Sequence, residues 1–275
     1  MISIVTALML EAKPIIEHFK LKKDIDIHPY PVYRNSDISL IVSGIGKIKS
    51  AMAAVYLLSV YNTTKNDSLL NIGFCGASKT NYDIGSLLLI NKVTDMDTKK
   101  DYYPDVLINI NIPQVSLQCF QQTISNNEWD NEFYCDMEST GIMEVANKFI
   151  YAHNVVLLKI ISDFLQPKNL DNKILKKYIT DNMHLIENTI NEMKQNNSFI
   201  KASTSVDEIA FGIAKNLMFS ESMKKMFLKE ITKASNKGLD VQKILEPFSN
   251  IKANSKTEGK KIFEKINQKL KQKTV

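Results

Sequence analysis

An apolar strand that runs directly into a helix is the recurring unit of this sequence, and it restricts the fold to the α/β class. Residues 2–8 are rich in β-branched residues, and apolar residues at helical spacing follow them. Residues 38–42 lead through a glycine-bearing turn into a helix predicted over residues 51–61, and residues 133–135 pass into a third helix. Because open α/β sheets bind ligands at strand ends, residues at these junctions are candidates for a site.

A pair of acidic residues stands at the third junction. Asp136 and Glu138 lie between the strand and its helix, with Met137 between them. The helix amino terminus favours ionised carboxylates, and the alternation of a strand directs both acids to the same side. Two aligned acids of this kind can hold a polyol. The alternative is that Glu138, or Ser139 after it, only caps the helix.

Two further acids occupy strand ends elsewhere in the chain. Glu11 lies in the turn after the first strand, and Asp163 follows a buried strand predicted over residues 155–161. Open α/β sheets place their ligands at such positions. Position alone favours a different interpretation of Glu11, as an acid of the first helical turn that the helix dipole stabilises.

Small residues make two strand ends suitable for close approach by a ligand. They are residues 43–47, Ser-Gly-Ile-Gly-Lys, and residues 71–77, Asn-Ile-Gly-Phe-Cys-Gly-Ala. A glycine turn ahead of a helix leaves backbone N–H groups free to meet an anion or a sugar. Glycines between a strand and a helix also occur simply as tight turns, so each motif alone is a weak signal.

Composition restricts the setting of the protein. Cys75, Cys119 and Cys135 show no paired spacing and no secretory leader is evident, so a reducing cytoplasmic location is expected. No apolar run approaches the roughly 20 residues that span a bilayer, and no membrane association is expected. No metal site is expected either, because the four histidines lack ligand spacing: His18, His28, His153 and His184.

The last part of the chain differs in structure and charge. Strand patterns stop near residue 196, so we expect one domain at residues 1–198 and a small all-α extension at residues 199–275. Residues 201–275 contain 16 Lys against 8 Asp and Glu, a net charge of +8 within a total of +5 for the chain. The last helix is amphipathic. This pattern favours docking on its own domain with lysines in solvent, and contact with nucleic acid is the less favoured alternative.

Local patterns also predict individual elements. Residues 32–34 and 38–42 are typical of a hairpin, residues 106–112 of a short strand, and residues 171–194 of one helix. A capping-box pattern at residues 205–208 predicts the start of a helix over residues 209–218. Three more helices are predicted over residues 220–238, 239–245 and 257–271.

Five short motifs, taken in order, resemble those of the purine nucleoside phosphorylase and nucleosidase superfamily. They resemble most closely the 5′-methylthioadenosine/S-adenosylhomocysteine nucleosidase branch, and the likeness covers residues 1 to about 195. The motifs are Ala7-Leu8-Met9-Leu10-Glu11, Ser43-Gly44-Ile45-Gly46-Lys47, residues 71–77, Asp136-Met137-Glu138-Ser139-Thr140 and Ile161-Ser162-Asp163.

The resemblance implies a fold and a reaction. The fold is a three-layer α/β/α phosphorylase/hydrolase-like fold with a mixed central sheet. The reaction cleaves the bond between a purine and a ribose through an oxocarbenium-like transition state. Glu138 is expected to hold the ribose hydroxyls, Met137 to pack against the sugar, Asp163 to protonate N7 of the departing base, and Glu11 to activate water. The other expected substrate contacts are Asp136, Gly46, Phe74, Cys75, Gly76 and Ser162. No cofactor is needed, and a homodimer is expected.

Hydrolysis is favoured over phosphorolysis. Phosphorylases of this superfamily usually surround phosphate with arginines, whereas Arg34 is the one arginine of this chain. Lys47 and Lys49 near the first glycine turn are the available point charges. A protein that binds a nucleoside or a partner without catalysis is the third alternative. Three departures from the family favour it: Phe74 in place of a small polar residue, Lys159 in place of arginine, and a short segment over residues 116–132.

Overall fold

A computed structural model of the protein describes residues 1–26, 29–105, 107–124, 131–166 and 171–271, with only the backbone of residues 198–205, 207, 208 and 236. The chain forms two compact units, Met1–Asn197 and Ser198–Val275. His28 and the middle of the 116–132 segment lie outside the described residues.

The first unit alternates strands and helices. Its strands are β1 (Ile2–Thr6), β2 (Lys22–Lys23), β3 (Val32–Arg34), β4 (Ile38–Val42), β5 (Ser68–Ser78), β6 (Leu87–Asp95), β7 (Asp101–Tyr102), β8 (Gln114–Cys119), β9 (Phe133–Asp136) and β10 (Val155–Asp163). Its helices are α1 (Met9–His18), α2 (Lys47–Val60), α3 (Ser139–Phe149), α4 (Asn172–Asp181) and the first part of α5 (Met183–Asn216). A 3₁₀ turn, Ala152–Asn154, precedes β10. The hairpin predicted from the sequence is confirmed, because β3 and β4 pair antiparallel.

The strands form one mixed sheet. Their order is β10-β6-β8-β9-β5-β1-β4-β3-β2, with β7 paired to β6. β1 lies parallel to β4 and β5. β10 pairs with β5 as well as with β6, so that β5, β9, β8, β6 and β10 close into a ring. This ring brings the ends of β5, β9 and β10 together.

Alternate residues of the central strands face opposite layers of helices. Val5 and its sheet neighbours belong to a buried cluster with residues of α2 and α3. Ile4 and its neighbours belong to a second cluster with residues of α1 and α5. Because both faces are covered, these strands are apolar throughout. The three-layer α/β/α fold with a mixed central sheet is therefore confirmed.

Two predictions in the first unit are wrong. Residues 107–112 form no strand, and Val106 lies outside the described residues. Ile108 and Ile112 are buried all the same, because the loop packs onto the second cluster without joining the sheet. The helix predicted over residues 171–194 is broken at Asn182, whose side-chain amide donates to the carbonyls of Gly85, at 2.8 Å, and Tyr178, at 2.9 Å.

The described residues of the second unit form helices joined by short turns and loops, and none of them forms a strand. After α5 it contains α6 (Glu221–Asn236), α7 (Val241–Leu245), the 3₁₀ turn Glu246–Phe248 and α8 (Lys256–Lys271). Phe219, Phe227 and Phe263 pack edge to face at its centre, with ring centroids 5.3–6.0 Å apart. The apolar side of α8 is buried in this core.

The capping-box prediction at residues 205–208 is wrong. The backbone of α5 is helical without interruption through these residues as far as Asn216. A continuous helix keeps every backbone hydrogen bond, whereas Ser, Thr and Asp inside a helix cost only tenths of a kcal/mol each.

Gly141 of α3 is expected to tolerate no side chain. A Cβ at this position would lie 2.1 Å from the Lys47 carbonyl oxygen and 2.6 Å from Ser50 Oγ, so α3 would have to move away from α2. We expect Gly141→Ala to lower the free energy of unfolding by about 1–3 kcal/mol, measured by chemical denaturation. Alanine's higher helix propensity offsets only part of this loss.

The control is Gly212→Ala in α5, where nothing lies within 4 Å of the added atom. This variant is expected to be as stable as the wild type or slightly more stable. Equal stability of Gly141→Ala and the wild type would contradict the close approach of α2 and α3.

Candidate active site

A cavity of about 190 Å³ opens where β1, β5, β9 and β10 end. Nine of the ten site residues predicted from the sequence line it: Glu11, Phe74, Cys75, Gly76, Asp136, Met137, Glu138, Ser162 and Asp163. The tenth, Gly46, is not in the wall, but its N–H donates to Glu138 Oε1 at 2.8 Å. The ring of strands therefore brings together residues that lie far apart in the sequence.

Glu11 is buried in the first turn of α1 and is held by backbone groups from two segments. Its Oε2 accepts from the N–H groups of Ala7, at 2.8 Å, and Leu8, at 2.9 Å. Its Oε1 accepts from the N–H of Phe74 in β5, at 3.3 Å. Glu11 is thus the first-turn acid of the alternative interpretation, and it also faces the cavity.

The pKa of Glu11 is raised from 4.5 to about 7. Burial is the main cause, and the negative charge of Glu138 adds to it. The N–H groups of Leu8 and Ala7 and the positive charge of Lys159 act in the opposite direction. A carboxyl group that titrates near neutrality in a cavity is typical of a proton-transfer group.

Lys159 is a fully buried lysine of β10. Its Nζ lies 2.8 Å from Asp136 Oδ2. Burial opposes its charge, but the negative charges of Asp136, Glu138 and Glu11 outweigh this effect and raise its pKa above the ordinary value. A buried charge persists only with such partners. In the sequence, Lys159 is the one cation within an otherwise apolar strand, and this position indicates a buried lysine that needs acidic partners.

Asp136 and Glu138 lie at the junction of β9 and α3. β9 ends at Asp136, and Glu138 is the residue before α3. Asp136 Oδ2 accepts from Ser139 N at 3.0 Å and Ser139 Oγ at 2.5 Å, so Asp136 caps the helix. The two acids lie at the junction as expected, but strand alternation does not extend to Glu138, because the chain turns at Met137. Both acids still line the cavity.

Glu138 reaches from the start of α3 to the glycine turn before α2. Its Oε1 accepts from Gly46 N, and its Oε2 from Met137 N at 3.4 Å. Gly46 has a φ of 110°, a conformation that favours glycine. Burial, followed by the charge of Asp136, raises the pKa of Glu138, and Lys159 lowers it. The glycine turn therefore positions a carboxylate rather than binding an external anion.

Asp163 is directed into the cavity by a β-bulge. Ile161 pairs with Cys75 and Asp163 with Gly76, so Ser162 is an extra residue in β10. Ser162 Oγ donates to Asp163 Oδ2 at 2.6 Å and lies 3.1 Å from the Cys75 carbonyl oxygen. The N–H of Gln166 donates to Asp163 Oδ1 at 2.8 Å. Both carboxylate oxygens are thereby fixed in orientation.

Residues outside the ten predicted site residues complete the wall, and most of them are apolar. They are Ala7, Leu8, Ile45, Phe120, Ile124, Leu165 and Leu175, with Gln122 and Thr123 beside them. Phe120, in the 116–132 segment, is the aromatic residue in this part of the wall. Apolar walls with a few polar groups are typical of sites for small organic molecules.

The two lysines near the first glycine turn do not line this cavity. Lys47 Nζ pairs with Asp95 Oδ2 at 2.9 Å and with Asp97 Oδ2 at 2.6 Å. Lys49 is exposed, and its side chain lies over Gly44. No lysine or arginine is among the described residues of the cavity wall.

Sequence comparisons relate the first part of the chain to a known family. Residues 2–132 match the family model described as the Phosphorylase superfamily. Over 167 residues the chain is 25% identical to the 5′-methylthioadenosine/S-adenosylhomocysteine nucleosidase of Buchnera aphidicola subsp. Schizaphis graminum. That alignment covers 60% of this chain and 63% of the relative, so the chain spans less than two thirds of the relative's length.

Solved structures share the fold. One is the 5′-methylthioadenosine/S-adenosylhomocysteine nucleosidase of Colwellia psychrerythraea 34H in complex with adenine. Its superposition on this chain has a TM-score of 0.59 at 16% sequence identity and includes 70% of this chain and 95% of the Colwellia chain. The enzyme of the same name from S. pneumoniae, with a transition-state inhibitor, has a TM-score of 0.58 at 14% identity, over 70% of this chain and 99% of its own. At these identities the likeness concerns the fold. Together with the match of residues 2–132, this likeness confirms the expected resemblance of the N-terminal unit to the phosphorylase superfamily.

Proposed function

We propose that this protein hydrolyses the N-glycosidic bond of a purine nucleoside similar to methylthioadenosine or S-adenosylhomocysteine, releasing the free base and a ribose derivative. The observation that carries the proposal is the convergence of Glu11, Glu138 and Asp163 from three strand ends on one apolar cavity. The names of the relatives support the same reaction class.

The three acids suit three roles in such a reaction. Asp163, fixed by Ser162 and Gln166, protonates or hydrogen-bonds N7 of the leaving base. Glu138, fixed by Gly46, holds the ribose hydroxyls and stabilises the positive charge that develops on the sugar. Glu11, with a pKa near 7, takes a proton from the attacking water. Met137 packs against the sugar, and the apolar wall receives the base and the 5′ substituent.

Water suits this cavity better than phosphate as the nucleophile. Lys47 is engaged by Asp95 and Asp97, and the described residues of the wall include several acids but neither lysine nor arginine. Phosphorolysis therefore lacks the cations that it needs. A binding protein without catalysis is the remaining alternative, and Phe74, Lys159 and the short 116–132 segment are the features that favour it.

We also infer a homodimer in a reducing cytoplasmic compartment. α2 exposes an apolar stripe of Ile48, Met52 and Val55, and Ile45 at its start lines the cavity. A second copy on this stripe would lie beside the cavity. The free, buried thiols of Cys75, Cys119 and Cys135 fit a reducing compartment. No helix in the described part of the chain is long and apolar enough to cross a membrane.

The test is base release from methylthioadenosine, S-adenosylhomocysteine, adenosine and inosine, each with and without phosphate. Release that does not depend on phosphate supports a nucleosidase. Release that requires phosphate identifies a phosphorylase and contradicts the role of Glu11. If no nucleoside yields base while one of them raises the melting temperature, the protein is a binding module.

The activity is expected to depend on the ionisation of Glu11. Because its pKa is about 7, the rate of base release should rise about tenfold per pH unit below 7 and level off above it. Steady-state rates between pH 5 and 9 provide the measurement. A rate that is flat across pH 7 would contradict the assignment of Glu11 as the base.

Stability should change with pH in the opposite direction. The folded state holds the Glu11 proton more tightly than the unfolded state between pH 4.5 and about 7, so the free energy of unfolding falls as the pH rises through this window. The loss is about 3 kcal/mol and is complete above pH 7. The control, Glu11→Gln, should abolish this part of the pH dependence.

A further inference from the structure

The carboxyl group of Glu11 occupies a cluster of backbone N–H donors. Backbone N–H groups of Ala7 and Leu8, from the turn after β1, and of Phe74, from β5, converge on its two oxygens at 2.8–3.3 Å. Converging backbone N–H groups from separate segments form an anion-binding nest. The nest is filled by a side chain of the chain itself.

A buried cation lies next to the nest. A Cβ added to Gly73 would be 3.2 Å from Glu11 Oε1 and 3.5 Å from Lys159 Nζ. The carboxyl group and the ammonium group therefore lie on the same side of Gly73. Lys159 and Glu11 attract each other across this space. The three N–H groups supply the donors that an oxyanion requires, and Lys159, which is paired with Asp136 at 2.8 Å, adds a positive charge beside them.

This place is the most suitable one for a free anion in the described part of the cavity. The wall otherwise carries the carboxylates of Asp136, Glu138 and Asp163, which repel anions. The nearest cation of the glycine turn, Lys47, is paired with two aspartates. An anion that entered the cavity would therefore compete with the Glu11 carboxylate for the same donors.

We propose that Glu11 is a tethered anion that fills this nest and so excludes free phosphate from the nucleophile site. The inference rests on the proposed function and adds a second role to Glu11, which is to select water as the nucleophile as well as to deprotonate it. Removal of the carboxylate should convert the nest into a binding site for a small external oxyanion.

The test compares the wild type with Glu11→Ala and Glu11→Gln, using inorganic phosphate and formate as probes. Glu11→Ala empties the nest, whereas Glu11→Gln keeps it filled with a neutral group of the same size. We expect phosphate to raise the melting temperature of Glu11→Ala by roughly 3 °C or more at about tenfold its dissociation constant, with formate acting in the same direction. The wild type and Glu11→Gln should show no shift, and isothermal titration should detect phosphate binding only to Glu11→Ala.

Two outcomes overturn the inference: a folded Glu11→Ala variant that binds neither probe, or a wild type that binds phosphate as tightly as the variant. If Glu11→Ala does not fold, Glu11→Ser replaces it. Phosphate binding is measured without a nucleoside. If the wild type releases no base, only the proposed nucleosidase function is contradicted. The comparison of phosphate binding still tests whether Glu11 excludes phosphate.

Discussion

Asp163→Asn is expected to lower the rate of base release by about 10²–10⁴-fold, the usual contribution of general acid catalysis. A purine anion is a poor leaving group, so the reaction needs a proton at N7 or a hydrogen bond to it. Asparagine has the same shape as aspartate but cannot transfer that proton. Its amide oxygen can still accept from the Gln166 N–H, and its amide group can donate to Ser162 Oγ, so the bulge should be retained.

The measurement is single-turnover base release, with the melting temperature recorded in parallel. Ser162→Ala is the matched control, because it removes the hydroxyl that orients the carboxylate but leaves the acid in place. We expect a smaller loss of rate for this control. A rate for Asp163→Asn within threefold of the wild type would rule out Asp163 as the general acid.

Lys159→Met is expected to destabilise the protein by about 3–5 kcal/mol, the usual result when one partner of a buried ion pair is removed. Lys159 is 1% exposed and compensates the charge of Asp136 at 2.8 Å, and it faces Glu138 and Glu11 as well. Methionine fills a similar volume. The loss therefore comes from carboxylates that are left buried without a cation.

The destabilisation should depend on pH in a defined direction. Without Lys159, the pKa values of Glu11 and Glu138 rise further above 4.5, because Lys159 lowers both in the wild type. Protonation relieves the buried charge, so the difference from the wild type should be smaller at pH 5.5 than at pH 8. Denaturant titrations at both pH values measure it. Lys159→Arg, the charge-conserving control, should lower the free energy of unfolding by less than Lys159→Met does. Equal decreases in the two variants would contradict the electrostatic explanation.

Local sequence patterns predicted most elements that bear the site. The apolar runs of β1, β5 and β10 and the β3–β4 hairpin are formed as expected, because a run of β-branched residues ended by glycine or polar residues has few other local solutions. Nine of the ten residues that the strand-end motifs identified also line the cavity, since parallel strands of one sheet end near each other.

Long-range contacts decided what those residues do. From the sequence alone, Lys159 only interrupts an apolar strand. In the structure it forms an ion pair with Asp136 of a different strand. From the sequence alone, Lys47 is a candidate phosphate ligand. The structure pairs it with Asp95 and Asp97, which lie 48 and 50 residues further along the chain. Such pairings depend on which strands become neighbours, and that information is absent from any short segment.

The sequence by itself determined the α/β class, the order of the elements and the chemical types gathered at the strand ends, because these depend on periodicity and on local turn chemistry. Only the tertiary structure decided that Ser162 bulges to direct Asp163, that the chain turns between Asp136 and Glu138, and that Glu11 fills a nest of N–H groups from two segments. The physical reason is that burial and hydrogen bonding between distant segments fix both the orientation and the charge of a carboxylate, and neither exists before the sheet closes.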